Sequence, residues 1–208
     1  MPGGIAITRA SSSPISAIIL GAGESRRMGR PKQILPLQTT TILGQVIENV
    51  QKSNIDEVVL VLGHQAAQIA NQVRAESVQV AINPEFRQGM SSSIKCGLRV
   101  VSRETKAVMI VLGDQPWIDA EIINHLIEEH KNSDIGITVP THKGVRGNPV
   151  TFDMKYKHDL MHLKGDVGGK HIVERHPEDV LEIEIDSQSI IEDIDTESDY
   201  RFCRGGSN

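Results

Sequence analysis

Arg26, Arg27, Arg30 and Lys32 place four cations within seven residues, directly after the glycines of Leu20-Gly21-Ala22-Gly23. Glycines at the carboxyl end of a strand let backbone N–H groups approach phosphates closely. Guanidinium forks match phosphate oxygens, and a triphosphate carries about four negative charges to be met. Three kinds of glycine-rich phosphate loop compete for this segment. A dinucleotide fingerprint needs Gly-x-Gly-x-x-Gly, and Arg26 stands at the third glycine position. A Walker loop needs Gly-Lys-Ser/Thr, which the segment lacks. The third kind binds phosphates with its own side chains as well as its backbone. A plain turn with solvated charges is the alternative to all three, but glycines, cations and strand end coincide here.

A second chemical feature is Val111-Leu112-Gly113-Asp114-Gln115-Pro116-Trp117, which follows an apolar run. A carboxylate leaving the carboxyl end of a buried strand sits where open α/β sheets bind ligands. Asp114 there can hold Mg²⁺, which favours one or two carboxylates together with phosphate oxygens. An aspartate in a proline-containing turn is the plainer reading. A further acidic run is Glu192-Asp193-Ile194-Asp195-Thr196-Glu197-Ser198-Asp199, where carboxylates before a helix can serve simply as caps. If that run is extended, Asp193 is expected to point to the face opposite the site. Gly89-Met90-Ser91-Ser92-Ser93 opens a helix with three hydroxyls where capping needs one.

Other candidates carry less. His158 and His162 are four apart, but Asp159 stands where a zinc-protease helix needs Glu, and no third ligand has suitable spacing. His64 reads as a loop residue, and Trp117 as packing near the site. No Gly-x-Ser-x-Gly elbow and no reactive-cysteine context is present, so the chemistry has no covalent nucleophile.

The elements that must position these groups are short β-branched runs alternating with amphipathic stretches. Strands are expected over residues 15–20, 57–62, 78–82, 107–112, 135–139, 150–152 and 180–185. Helices are expected over 42–53, 66–74, 90–101, after Asp119, and over 196–202. The run 107–112 is apolar throughout, as in a strand buried on both faces. Strand and helix in alternation imply parallel strands joined by right-handed crossovers, hence a three-layer α/β/α Rossmann-like, mostly parallel sheet. Residues 1–13 read as a loose tail, residues 14–204 as one domain, and the segment from Arg204 onward as frayed.

Composition narrows the function classes. The 208 residues carry a net charge of −5 with both signs interspersed, and only 3% are aromatic. That leaves no basic stripe for a duplex and no stacking surface for single strands, so no nucleic acid is expected. No apolar run approaches the ~20 residues of a membrane helix, and no signal peptide is evident. Cys96 and Cys203 suit ordinary thiols in a reducing compartment, which makes a cytoplasmic location the expectation.

The opening segment resembles the family of nucleotidyltransferases that includes the molybdenum-cofactor guanylyl- and cytidylyltransferases. Their pattern is Leu-Ala-[Ala/Gly]-Gly-x-Ser-x-Arg-Met-Gly-x-x-Lys. Ser25, Arg27, Met28, Gly29 and Lys32 match it, while Gly21 replaces the usual Ala and Ala22 takes the variable position. The resemblance implies a nucleotide-diphospho-sugar-transferase type of fold. It implies nucleotide contacts at Leu20, Gly21, Ala22, Gly23 and Ser25, with Arg27 and Lys32 on the triphosphate. Gly113-Asp114-Gln115-Pro116 is similar to the family's Gly-Asp-x-Pro metal motif. Asp193-Ile194-Asp195-Thr196 is similar to its closing motif, which implies Asp195 as the second Mg²⁺ ligand beside Asp114. Glu197 stands where the motif usually has Pro, which bears on how the closing helix starts. A Gly-x-x-x-Ser stretch carries over ribose and base contacts to Gly89 and Ser93. Arg146-Gly147-Asn148-Pro149-Val150 and Gly165-Asp166-Val167-Gly168-Gly169-Lys170 resemble the cytidylyl branch and imply an acceptor lip of Arg146, Asn148, Gly165, Asp166 and Lys170. Lys170 in place of Arg keeps the charge but loses the fork. The implied reaction is CMP transfer from CTP to a molybdopterin-type cofactor with release of pyrophosphate, catalysed by Arg27, Lys32 and Asp114. A molybdoenzyme or its chaperone is the implied recipient. Guanylyl transfer, transfer to another small phosphate, and a non-enzymatic role in cofactor handover are the alternatives.

Overall fold

The computed structural model describes residues 13–73 and 78–205. The expected tail, residues 1–13, therefore lies outside the described residues except for Ser13, as do Arg74 and residues 206–208.

The central sheet runs in the order β10-β7-β9-β6-β1-β4-β5, with β8 extending the β7 side. Its strands are β1 (Ile15–Leu20), β4 (Glu57–Leu62), β5 (Gln79–Ile82), β6 (Ala107–Leu112), β7 (Ile137–His142), β8 (Val145–Arg146), β9 (Val150–Asp153) and β10 (Val180–Glu184). A small separate hairpin, β2 (Pro36–Leu37) and β3 (Thr40–Thr41), follows the glycine-rich loop. The helices are α1 (Ile42–Gln51), α2 (Ala66–Gln72), α3 (Met90–Leu98), α4 (Ala120–Asn132), α5 (Lys157–His162), α6 (Lys170–Arg175) and α7 (Glu197–Gly205). Arg204, expected to be frayed, thus belongs to a helix.

Alternation along β1 shows how the layers form. Ile15, Ala17 and Ile19 face a core shared with α1, α2 and α4, whereas Ile18 faces a second core with α3, α5 and α6. Side chains on a strand point alternately to opposite faces, so one strand packs both layers. Every residue of β1 from Ile15 to Ile19 is buried, as a strand central to a doubly covered sheet requires. On the second face α3 lies very close to β1: a Cβ on Gly97 would be 2.4 Å from Ile18 Cγ2. The expected α/β/α sandwich is therefore present.

The departure from simple alternation is β9. It is antiparallel to both β6 and β7 and lies between them. The polar, glycine-containing stretch after β7 turns back through Lys143 and Gly144, both at positive φ, so β7 and β8 form a hairpin from which β9 continues. No helix separates these strands, so no parallel crossover can form.

The carboxyl ends that matter are in register. Leu20 pairs with Leu112 on β6 and with Val61 on β4. Gly21 and Gly113 therefore leave the sheet side by side, with the Gly113 N–H donating to Leu20 O at 3.1 Å. A Cβ on Gly113 would be 2.7 Å from that same oxygen, which explains the glycine.

Candidate active site

The site forms at this edge from three distant segments. The first is the glycine-rich loop after β1. It ends in a single 3-10 turn, Lys32–Ile34, that points Lys32 toward the sheet edge and buries Gln33 beneath the loop. The second is Asp114 at the end of β6, in a loop anchored by the Asn49 amide donating to Pro116 O and Ile118 O, both at 2.9 Å. The third is the segment before α7. Its Ile194 N–H donates to Asp114 O at 3.0 Å, so the two acidic segments are tied by their backbones.

Lys32 Nζ donates to Asp114 Oδ2 at 2.7 Å and to Asp195 Oδ1 at 2.5 Å. The Arg27 guanidinium reaches Asp195 Oδ2 at 2.5 Å. Burial works to lower the pKa of the Lys32 ammonium, but the Asp114 charge, then the bonds to both carboxylates, outweigh it and hold the group above its ordinary value. For Asp195 burial works upward, but Lys32 and then Arg27 hold it below the usual carboxylate range. The other two arginines face elsewhere: Arg26 pairs with Glu24 and Arg30 with Glu197.

Asp193 joins this group. Carboxylate oxygens of Asp114, Asp193 and Asp195 all lie within 4.8 Å of one another. The expectation that Asp193 points away is thus corrected: residues two apart share a face even in an extended segment, and here the segment is coil that folds both carboxylates toward Asp114. Partial burial, then the charges of Asp195 and Asp114, push the Asp193 carboxyl above its ordinary value. Asp114 Oδ1 is buried with no hydrogen-bond partner. A hard, all-oxygen donor set with one lone buried oxygen fits Mg²⁺ or Mn²⁺.

The start of α7 resolves the missing proline. Thr196 Oγ1 accepts from Asp199 N at 3.2 Å, and Asp199 Oδ2 accepts from Thr196 N at 2.7 Å. This reciprocal capping box begins the helix with Glu197 in its first turn. Asp199 Oδ2 also accepts from Asp195 N at 3.1 Å and so braces the backbone of the acidic segment. Beneath it Met28, Leu35, Leu37, Ile42, Ile194 and Tyr200 form a separate small core that binds loop, hairpin and α7 together.

Gln33 is the residue that sequence reading missed. It is 3% exposed, and its amide donates to Gly21 O at 3.1 Å and Gly23 O at 2.8 Å. Its carbonyl accepts from Ser25 Oγ at 3.2 Å, and that hydroxyl in turn accepts from Lys32 N at 3.1 Å. Ser25, at φ 51°, thus has its side chain engaged in bracing the loop from within. A buried glutamine beside glycines was the available signal.

The remaining expected residues are engaged in other contacts. Ser93 is buried and accepts from Asn83 Nδ2 at 3.1 Å. Gly89, at φ 95°, is a close-approach position: a Cβ there would be 2.6 Å from the backbone of Gly165 and Asp166. Asp166 Oδ1 accepts from Met90 N at 3.1 Å and Gly165 O accepts from Ser91 N at 3.3 Å, so this loop caps α3. Lys170 opens α6 and is largely exposed. Arg146 pairs with Glu182 at 2.6 Å, and Asn148 N donates to Ile190 O at 2.9 Å before a cis bond to Pro149. His158 and His162 stack at 4.1 Å, and among the described residues the three aspartates are the only group of three or more that could hold a metal.

Cations beside glycine-rich backbone, facing clustered carboxylates at the carboxyl edge of a mostly parallel sheet, are suited to handling phosphate groups, and comparison with known proteins gives the class. The chain is a nucleotidyltransferase, with the fold of the nucleotide-diphospho-sugar transferases. It belongs to the MobA-like NTP transferase domain family, which it matches over residues 17–180. It is 26% identical to the molybdenum cofactor cytidylyltransferase of Escherichia coli K12 over 189 residues, covering 90% of this chain and 94% of that one. It is also 26% identical to the nicotine blue oxidoreductase of Paenarthrobacter nicotinovorans over 196 residues, covering 90% and 96%. Among solved structures, Rv0371c of Mycobacterium tuberculosis H37Rv superposes with a TM-score of 0.84 at 28% identity, covering 92% of this chain and 97% of that one. A manganese complex of that protein superposes with a TM-score of 0.79 at 26% identity and the same coverage.

Proposed function

We propose that this nucleotidyltransferase moves CMP from CTP to the phosphate of a molybdopterin-type cofactor and releases pyrophosphate. The observation that carries the reading is the junction of Lys32 with Asp114 and Asp195 at the sheet edge, beside the glycine-rich loop. An acceptor phosphate oxygen attacks the α-phosphorus, and the bond to the β-phosphate bridging oxygen breaks. The departing electron pair goes to pyrophosphate. Such a displacement needs alignment and charge neutralisation rather than a protein nucleophile. Leu20, Gly21, Ala22 and Gly23 form the triphosphate cradle, with the N–H groups of Ala22 and Gly23 turned to the phosphates, because the Gly21 N–H donates to Val61 O at 2.9 Å and Leu20 belongs to the sheet. Arg27 and Lys32 stabilise the charge that builds on the phosphoryl and leaving oxygens. Asp114, Asp193 and Asp195 hold the divalent cation, with Mg²⁺ the one favoured. Once bound, the cation supplies Lewis-acid neutralisation of phosphate oxygens.

The acceptor side is assigned to Arg146 and Asn148, with the loop of Gly165 and Asp166 and the following Lys170 forming the lip. Gly89 and Ser93 shape the nucleoside side through α3 rather than by a free hydroxyl. The reading also takes residues 14–204 as one catalytic unit working in the cytoplasm and delivering to a molybdoenzyme or its chaperone. No helix among the described residues is long and apolar enough to cross a membrane.

CTP is favoured over GTP by the similarity of residues 146–150 and 165–170 to the cytidylyl branch and by the Escherichia coli relative. The equal identity to an oxidoreductase gives a second reading. It leaves the Lys32–carboxylate cluster without work, and Arg26 blocks a dinucleotide fingerprint. The deciding experiment measures pyrophosphate release from each of the four triphosphates, with and without reduced pterin cofactor and Mg²⁺. Release with CTP, dependent on both additions, is expected. Release with GTP alone moves the assignment to guanylyl transfer. Pterin binding without release with any triphosphate leaves a handover protein.

A further inference from the structure

We infer that Gln33 is a positioning residue that sets the direction of the phosphate-binding amides, an inference resting on the nucleotidyl-transfer reading above. In a trans peptide the C=O and the next residue's N–H point to opposite sides of one plane. Gly21 O and Gly23 O are both held inward by the Gln33 carboxamide, and Ala22 O is held by His64 N at 3.3 Å. The N–H groups of Ala22, Gly23 and Glu24 therefore point away from the protein interior. Among the described residues none of the three has a protein acceptor. A Cβ built on Gly23 would meet nothing within 4 Å, so the outer side of the loop is open. Successive outward N–H groups make a concave anion site, and only a rigid inner bond pattern keeps them convergent.

Glutamine suits this position for a geometric reason. One amide nitrogen carries two hydrogens and can serve two carbonyls at once, while its oxygen takes the Ser25 hydroxyl. The same 3-10 turn that buries Gln33 presents Lys32 to the carboxylates, so backbone and side-chain phosphate contacts share one support. Glutamate would set a carboxylate against two carbonyls. Methionine would fill the space and donate nothing.

The test compares Gln33→Met and Gln33→Glu with the unaltered chain. Readouts are Mg–CTP and Mg–GTP binding by titration calorimetry, steady-state KM values for triphosphate and acceptor, and thermal melting. Both variants are expected to raise the triphosphate Kd and KM about 10- to 100-fold, with the acceptor KM unchanged. Gln33→Glu is further expected to regain affinity relative to Gln33→Met as pH falls, because a protonated carboxyl donates one bond again. A purely structural role would instead lower the melting temperature and the active fraction while leaving both KM values native. That pattern, or native triphosphate affinity in a folded Gln33→Met protein, overturns the inference. An unaltered chain that binds neither triphosphate removes the underlying reading, and this inference with it.

Discussion

Replacing Lys32 with methionine should affect three quantities in different directions. Methionine keeps the unbranched stem and removes the ammonium, whose side chain is only 13% exposed. In turnover, loss of one preorganised donor costs about 10²–10³ in rate, or roughly 3–4 kcal/mol of barrier. In cation binding the sign reverses. Lys32 lies 2.7 and 2.5 Å from two carboxylates whose oxygens, with those of Asp193, fall within 4.8 Å. A unit charge about 5 Å from a cation site, at an effective dielectric near 20, opposes each positive charge there by about 3 kcal/mol. Asp114 and Asp195 are each about one-fifth exposed, so solvent reduces this to about 1–2 kcal/mol, equivalent to roughly tenfold tighter binding once the lysine is gone. In folding, two carboxylates lose a partner. A fully buried pair so broken costs about 3–5 kcal/mol, and the exposure here reduces that to about 1–2. Lys32→Met should therefore melt lower than the native chain without divalent ions and recover with them, bind Mn²⁺ more tightly in calorimetry, and release almost no pyrophosphate. Native turnover would refute the catalytic argument. Mn²⁺ binding weaker than that of the unaltered protein would refute the electrostatic one.

Asp166→Ala removes a cap from α3, and the expected loss is about 1 kcal/mol, read as a lower urea midpoint, together with a higher acceptor KM if the loop also forms the lip. Gly97→Ala places a methyl group 2.4 Å from Ile18 Cγ2 and should cost about 1–3 kcal/mol in denaturant unfolding, since α3 must move off β1. Burial works to raise the Asp179 carboxyl, but the bond from Lys155, the Tyr156 hydroxyl and the Gly136 N–H depress it to about 2. Because the folded pKa is depressed, its stabilisation is complete above the ordinary value of 3.8 and disappears as pH falls through about 2. After discounting for solvent access this amounts to about 1–2 kcal/mol, and Asp179→Asn should flatten stability between pH 4 and 2 by that amount.

Much of the fold was legible because hydrophobic pattern and layer position agree. The unbroken apolar run of β6 and the alternation of β1 both follow from covering the sheet on two faces. β9 was harder: its four residues carry no signal of direction, and only the hairpin at Lys143 and Gly144 reverses the chain. Asp114 could be picked out because a carboxylate beside a glycine at a strand end is unusual, and Lys32 through the resemblance of its segment to the nucleotidyltransferase motif. Asp193 could not, since its place depends on a coil held by Ile194 N to Asp114 O and by the Asp199 brace, both long-range or side-chain effects. Gln33 was overlooked for a related reason. An uncharged amide inside a cationic stretch looks like surface until two carbonyls are seen beneath it.

The small core joining Met28, Ile194 and Tyr200 has a consequence for how the protein matures. Lys32 and Asp114 are 82 residues apart, whereas Lys32 and Asp195 are 163 apart. A ribosome-bound chain that has reached β6 can already pair β1, β4, β5 and β6, yet it brings Lys32 only one of its carboxylates. On the proposed reading, nucleotide chemistry therefore waits until the last acidic segment has returned to the edge of the sheet.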